Sequence, residues 1–455
     1  MTSRIPEPEQ LSIDTEKLDL HNSAAATECE AASGTFVPSV FLCLVLLYSL
    51  FLTQIISGTF LNRGDLDPTI NVTADASNTA NQAFWLMLFI ACLIVAGMRR
   101  TPILRHAWAL WPLVAYLAWS TATMLWAVDP HVAWRRLILQ FCIVGSVWLS
   151  VAMIGNARRV RRIVLYVLFV VVLINVSAAA VTHPTALGYA GLFGQKNELG
   201  AAAAMAFIGF STGLGAPLSM ERTVCRLGFV MSGLLLIASR SKTSFILAFS
   251  IPLVAYAAAF LARGLRVRPV YVVWGIAAVA LIVTLVAMGS GVRYQDILKV
   301  LFGGATFTGR TDIWAFAWSE FLIRPITGFG FNGFWGVGTN SAATFSNNAF
   351  LSNILQSHDG YLDILLETGG VGLAIFIGFV TTTFGHCSRA LRVRGGVFFL
   401  AISLFFVLHN FFESSAFRRF EPAWIVFLIV AVTVARMKPT RTRNLAFSDA
   451  WVPAC

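Results

Sequence analysis

Apolar runs of about 20 residues follow one another along most of the chain, each closed by a short polar or basic connection. A helix of that length, at ~1.5 Å per residue, crosses the hydrocarbon core of a bilayer. The runs begin at Phe36, Ala83, Ala107, Arg136, Ile163, Glu198, Thr223, Phe245, Val270, Ile364, Val397 and Pro422. The pattern predicts an all-α polytopic membrane protein with about 12 transmembrane helices, the second and the last of them short. It divides the chain into a tail over 1–35, spans 1–9 over 36–289, a long connection over 290–363, spans 10–12 over 364–435 and a second tail over 436–455.

Lys and Arg choose the orientation, because cytoplasmic connections retain them. The tails and the connections at 99–105, 158–162, 222–226, 263–268 and 389–394 hold 21 of the 33 basic residues, and the opposite connections hold 12. Both termini are therefore expected in the cytoplasm, and the long connection in the periplasm. A composition of 57% hydrophobic and 12% charged residues, with mean hydropathy +0.74, is far from that of a soluble domain. Residues 1–35 carry seven acids and two basic residues, which lacks the basic start of a cleavable signal peptide and reads as a short disordered tail. The seven cysteines stand singly, without CxxC or metal-ligand spacing, and predict neither a disulfide nor a metal site. A net charge of +11 could suggest nucleic acid, but the basic residues sit at the ends of apolar runs, where topology accounts for them. No nucleic-acid partner is expected.

The 12 outward basic residues run against the topology rule and, as a group, look like an anion site, although any one could be a helix-end anchor reaching for headgroups. Charge is scarce near the centres of the apolar runs, which argues against an ion-coupled transporter or exporter. Four outward segments concentrate the chemistry. GLFGQKNELG from Gly191 carries Lys196 and Asn197 into a helix start, or is an ordinary capped loop. ASRSKTS from Ala238 holds Arg240 and Lys242 in a tight turn between two spans. The third segment starts at Thr308, where Ile313, Trp314, Ala317, Trp318, Phe321 and Leu322 follow helical spacing while Asp312 and Glu320 stay polar. An amphipathic helix on the outer interface, ended by Pro325, is the expectation. Arg310 and Arg324 are 14 residues apart, ~21 Å on a continuous helix. Only one of them can grip a given anion, and Arg310 is preferred.

The glycine- and aromatic-rich run after Pro325, with Asn340, Ser341, Ser346, Asn347, Asn348, Ser352 and Asn353, suits sugar rings, as a floppy loop would also look. The fourth segment is SHDGYLDILLETGGVGLAIF from Ser357, where Ser357 can cap a helix opening with His358 and Asp359. On that helix Glu367, nine residues beyond His358, is turned by ~900° and faces the other way. Asp359 and Asp363 are four apart and repel unless a cation from another segment neutralises one, with Arg418 or Arg419 as candidates.

Together these segments resemble the O-antigen ligase/polymerase family of polytopic glycan-assembly enzymes, by motif over roughly 191–372 and by hydropathy over the first five spans. The ligase branch carries His, then Asn, Ser or Gln, nine residues, and Gly-x-x-Gly; here stand His358, Asp359, nine residues, and Gly369, Gly370, Val371, Gly372. By order and context, the family's two arginines and histidine fall on Arg240, Arg310 and His358. Asp359 departs from the ligase pattern. With HNFFESSAFRR from His409, it looks more like the rhizobial-type exopolysaccharide polymerases.

The resemblance implies a GT-C-like membrane glycosyltransferase using a glycan on undecaprenyl diphosphate, with no cofactor or metal. Arg240 and Arg310, supported by Lys196 and Lys242, would hold the departing diphosphate through guanidinium forks. His358 would be the base for the acceptor hydroxyl, with Asp359 or Asp363 as the alternative. Asn197, Arg324, Asp359, Asp363 and Glu413 complete the expected substrate-binding set. Polymerisation of repeat units is the leading reading, ligation to another acceptor the first alternative and export of lipid-linked sugars the second. Membrane lipid and chain-length or export proteins are the expected partners. Reporter fusions at Gly338 and Gly395 should read periplasm and cytoplasm respectively; the reverse at either point would overturn this topology.

Overall fold

The computed structural model describes residues 35–52, 79–102, 108–179, 188–268, 270–275, 278–279, 282, 286, 310–337, 341, 351, 354–391, 393–418 and 421–437. Twelve α-helices are delimited among them. The first eight are α1 (Phe36–Leu47), α2 (Thr79–Met98), α3 (Trp111–Ala122), α4 (Pro130–Ile154), α5 (Ala157–Ala178), α6 (Lys196–Ser211), α7 (Ser219–Ser239) and α8 (Lys242–Gly264). The last four are α9 (Arg310–Phe321), α10 (Gly360–Ala390), α11 (Val397–His409) and α12 (Pro422–Arg436). Residues 270–275 are helical too, so each of the twelve apolar runs contains helix and α9 falls in the long connection. Among the described residues, seven helical stretches are long and apolar enough to cross a membrane, which makes this a multi-pass membrane protein. Both predicted tails, 1–35 and 436–455, lie almost wholly outside the described residues, as do Arg419, Asn340, Ser346, Asn347, Asn348, Ser352 and Asn353.

Caps set several boundaries that hydropathy misplaced. The fourth run begins at Pro130 and not Arg136, because Asp129 accepts the amide of Val132 at 3.0 Å and proline suits the first helical position. Asn156 caps α5 in the same way, accepting from Arg158 and Arg159.

The centre of the bundle is α12, whose residues Ala423–Ala435 are all buried against α4, α5, α6, α10 and α11. A helix apolar on every side has no face to give to solvent and becomes core. Its Thr433 hydroxyl is satisfied internally by the carbonyl of Ile429. Around it, α6 packs closely on α7 and α8, since Gly200 lies against Ser241 and Ser244, and Gly228 of α7 against Phe210.

The long helix α10 is broken at Gly369 (φ 68°, ψ −173°). The break strands backbone groups inside an apolar bundle, and residues 325–330 take them up. The amides of Phe329 and Gly330 donate to the carbonyls of Leu366 (2.8 Å) and Glu367 (2.9 Å), while those of Gly370 and Val371 donate to Pro325 and Ile326. The indole of Trp119 donates to the carbonyl of Thr368. Non-helical backbone at membrane depth is tolerated when protein supplies every partner in this way.

Two expectations change here. Phe329, Phe331, Phe334 and Trp335 are buried, so these aromatics pack the interior and offer no open faces to a sugar. Arg136, a basic residue expected on the outer side and given no individual role from sequence, clamps the segment by donating to the carbonyls of Asn332 (2.6 Å), Trp335 (2.9 Å) and Gly336 (2.6 Å). Helix α9 ends at Phe321, four residues before Pro325, and buries Ile313 and Ala317 against Phe334, Trp335, Leu362 and Leu366 while Trp318 and Leu322 stay exposed.

A Cβ at Gly369 would run into the Ile326 carbonyl and hold an L-residue at positive φ. Gly369→Ala should therefore cost about 3 kcal/mol or more. Gly378→Ala, on the same helix with open space around it, should be neutral or slightly stabilising. Thermal unfolding of both variants in detergent checks the contrast.

Candidate active site

His358 does not begin a helix. It sits at φ 57°, and the helix opens one residue after Asp359, whose Oδ1 accepts the amides of Tyr361 (2.9 Å) and Leu362 (3.3 Å). Asp359, not Ser357, is the cap; the Ser357 hydroxyl instead donates to the Asp359 carbonyl at 2.7 Å. The left-handed turn at His358, which costs strain in a non-glycine residue, removes the imidazole from the helical register. The rotation argument that set Glu367 opposite His358 therefore does not apply.

The imidazole meets Glu413, from the turn between α11 and α12, with Nδ1 3.0 Å from Oε2. The other oxygen of the same carboxylate accepts from Arg310 Nη2 at 2.8 Å, and Arg310 Nη1 donates to the Phe412 carbonyl at 2.6 Å. One carboxylate thus joins the histidine and the arginine that opens α9. All three side chains are partly exposed (His358 29%, Glu413 24%, Arg310 16%), so a ligand can reach them. Burial would raise the Glu413 carboxyl, but the hydrogen bond to His358 and the charge of Arg310 outweigh it and hold the group below the usual carboxylate range. With Nδ1–H donated to Glu413, the lone pair of His358 lies on Nε2, the tautomer that can take a proton from a hydroxyl.

Behind this group is a second ion pair. Asp363 is buried, with Oδ1 accepting from the Trp335 indole (2.7 Å) and the Ser357 amide (3.1 Å), and Oδ2 accepting from Arg418 Nη2 (2.7 Å). Arg418 is the basic partner anticipated from another segment, and it also stands 3.8 Å from Glu367. Burial lowers the Arg418 guanidinium, yet the two carboxylates outweigh this and raise it above its ordinary value. So enclosed, Asp363 is poorly placed to act as a base. Asp359 is half-buried, and burial pushes its carboxyl up to about 6 against the two amides it caps.

Other candidates form a neighbouring group. Arg240 is exposed in a left-handed conformation (φ 52°) at the end of α7, with Lys242 at the start of α8. The Tyr189 amide donates to Ala238 there, and Gly200 packs on Ser241, so the turn lies beside the start of α6, where Lys196 and Asn197 stand. Glu198, next along α6, is close enough to Glu413 and Glu421 for like-charge repulsion. Burial, then the charges of Glu198 and Glu413, push the Glu421 carboxyl up to about 8. Arg324 is apart from both groups: it is exposed, 5.1 Å over the Phe329 ring and 3.4 Å from the Trp126 carbonyl, which suits an anchor for the segment after α9. Among the described residues, no group of three or more His, Cys, Asp and Glu could hold a metal ion.

A family model described as O-Antigen ligase matches residues 227–377, from the second half of α7 into α10. This stretch is similar to the O-antigen ligases. It contains Arg240, Arg310, His358 and Asp363, whereas Glu413 and Arg418 lie beyond it. Exopolysaccharide production protein ExoQ of Rhizobium meliloti (strain 1021) is 29% identical over 121 residues, which is 26% of this chain and 26% of that protein. The match thus spans about a quarter of that relative's length. Together the two matches support an O-antigen ligase/polymerase family assignment of the ExoQ-like kind.

Sequence reasoning included Glu413 but not its bridging role, which no spacing announces because its partners are 55 and 103 residues away. Removing Arg418 would leave Asp363 and Glu367 as uncompensated buried charges. Arg418→Leu should destabilise the protein by roughly 3–5 kcal/mol, and adding Asp363→Asn should recover part of that. Thermal unfolding of the single and double variants in detergent measures both.

Proposed function

We propose that the chain polymerises undecaprenyl-diphosphate-linked oligosaccharide repeat units into exopolysaccharide at the periplasmic face of a bacterial inner membrane, with both termini in the cytoplasm. The observation that carries this reading is the Glu413 carboxylate joining His358 to Arg310, since a base beside a phosphate-binding guanidinium is what glycosyl transfer from a diphosphate needs. His358 Nε2 takes the proton of the acceptor hydroxyl as that oxygen bonds to the anomeric carbon. The bond from that carbon to the diphosphate oxygen breaks with its electron pair leaving on the diphosphate. Arg310 and Arg240, aided by Lys196, Lys242 and Asn197, stabilise that charge without a metal. Glu413 fixes the tautomer of His358 and stabilises the imidazolium.

The name of the ExoQ relative speaks of exopolysaccharide production, which suits a polymerase; the description of the matched family suits the second reading equally, a ligase that transfers the glycan to another acceptor. Chain-length or export proteins are the proposed protein partners. Purified protein in liposomes, given lipid-linked repeat units alone and in the presence of EDTA, should build a ladder of longer lipid-linked products. A ligase would build none until its acceptor was added. His358→Ala should cut the rate about 100-fold or more while leaving donor binding largely intact.

A further inference from the structure

Each terminal nitrogen of Arg310 already donates once in this structure, Nη2 to the Glu413 carboxylate and Nη1 to the Phe412 carbonyl, so Glu413 partly counters the guanidinium charge. A diphosphate needs that same fork. A diphosphate arriving on Arg310 competes with Glu413 for its charge, because two anions sharing one cation at contact distance repel each other. Its place in the chain and its exposure allow that exchange. Glu413 belongs to a turn and not to a helix, with its amide on the His409 carbonyl, and it is partly exposed. The groups whose charge reaches it include Arg310 on α9, His358 before α10, His409 on α11, Glu198 on α6 and Glu421 before α12, and the last two repel it when they are ionised.

Resting on the donor chemistry proposed above, we infer that Glu413 is a displaceable counter-ion: the donor's diphosphate replaces it on Arg310, and the freed carboxylate then serves His358 alone. The exchange couples donor binding to activation of the base. Before the donor binds, Arg310 draws on the same carboxylate that orients the imidazole. Afterwards the negative charge of Glu413 acts undivided on His358, which makes Nε2 a stronger acceptor for the hydroxyl proton and stabilises the imidazolium that forms. The proton passes from the acceptor hydroxyl to Nε2, the new bond forms at the anomeric carbon, and the electron pair of the broken bond leaves with the diphosphate. Glu413 is in this account a positioning residue that acts through His358 and a competitor for the site on Arg310.

This predicts that one substitution moves affinity and turnover in opposite directions. With full-length protein in nanodiscs and undecaprenyl diphosphate as the probe, Glu413→Gln should bind about 5- to 10-fold tighter than wild type, since Arg310 is released. Its kcat in the ladder assay should fall about 100-fold, because an amide neither holds the tautomer nor balances the imidazolium. Glu413→Asp, which keeps the charge but shortens its reach by one methylene, should also tighten binding, and it serves if the glutamine variant does not fold. A merely structural Glu413 would weaken binding and turnover together. Unchanged or weaker binding in both variants overturns the exchange. If wild type binds the diphosphate and builds the ladder in that case, the proposed function stands without it. Failure of wild type to bind any diphosphate overturns the donor assignment and this inference with it.

Discussion

A backbone carbonyl released from its helix inside an apolar bundle has no water to turn to, and the break at Gly369 releases such groups in the middle of α10. Their partners come from residues 325–330 and from Trp119, and that exchange fixes the described residues that follow α9. Once 325–330 is docked, Phe329, Phe334 and Trp335 fill the space beside Leu362 and Leu366, and α9 lays Ile313 and Ala317 on the same cluster. Arg310 opens α9, so its position follows from the way a broken helix recovers its hydrogen bonds. Arg136 completes the arrangement by holding three carbonyls of the segment on a single guanidinium.

The turn between α11 and α12 brings the other half of the site. Asn410 organises it, with Oδ1 accepting the amides of Ser415 (3.1 Å) and Ala416 (2.9 Å), and its carbonyl accepting the amide of Gly360 (2.8 Å) at the start of α10. That one residue ties the turn carrying Glu413 and Arg418 to the segment carrying His358, Asp359 and Asp363. A side chain at Gly360 would collide with Asn410, so the close approach requires glycine. The two carboxylate–arginine pairs differ in consequence. The Asp363 carboxylate is 5% exposed and structural in character, whereas the Glu413 carboxylate is 24% exposed and so available to ligand chemistry.

Much of this was legible in the linear pattern. Apolar length announced helix at each of the twelve runs, since the bilayer requirement is one of length and composition alone. Local like-charge repulsion requires a cation near Asp359 and Asp363, and Arg418 meets that need at Asp363. Spacing arguments failed where the chain leaves the regular helix. His358 at positive φ has no helical phase, and α10 loses its phase again at Gly369.

The sequence by itself determined what short range controls: which segments are helical, and that the basic residues divide unevenly between alternate connections. The tertiary structure alone decided which distant charges meet. That Glu413 stands between His358 and Arg310, and that the aromatic run after Pro325 turns inward as packing, depend on partners 55 to about 200 residues away. A hydrogen bond or a packed ring is specified by position in three dimensions, and residue spacing carries that information only as far as a regular helix remains unbroken.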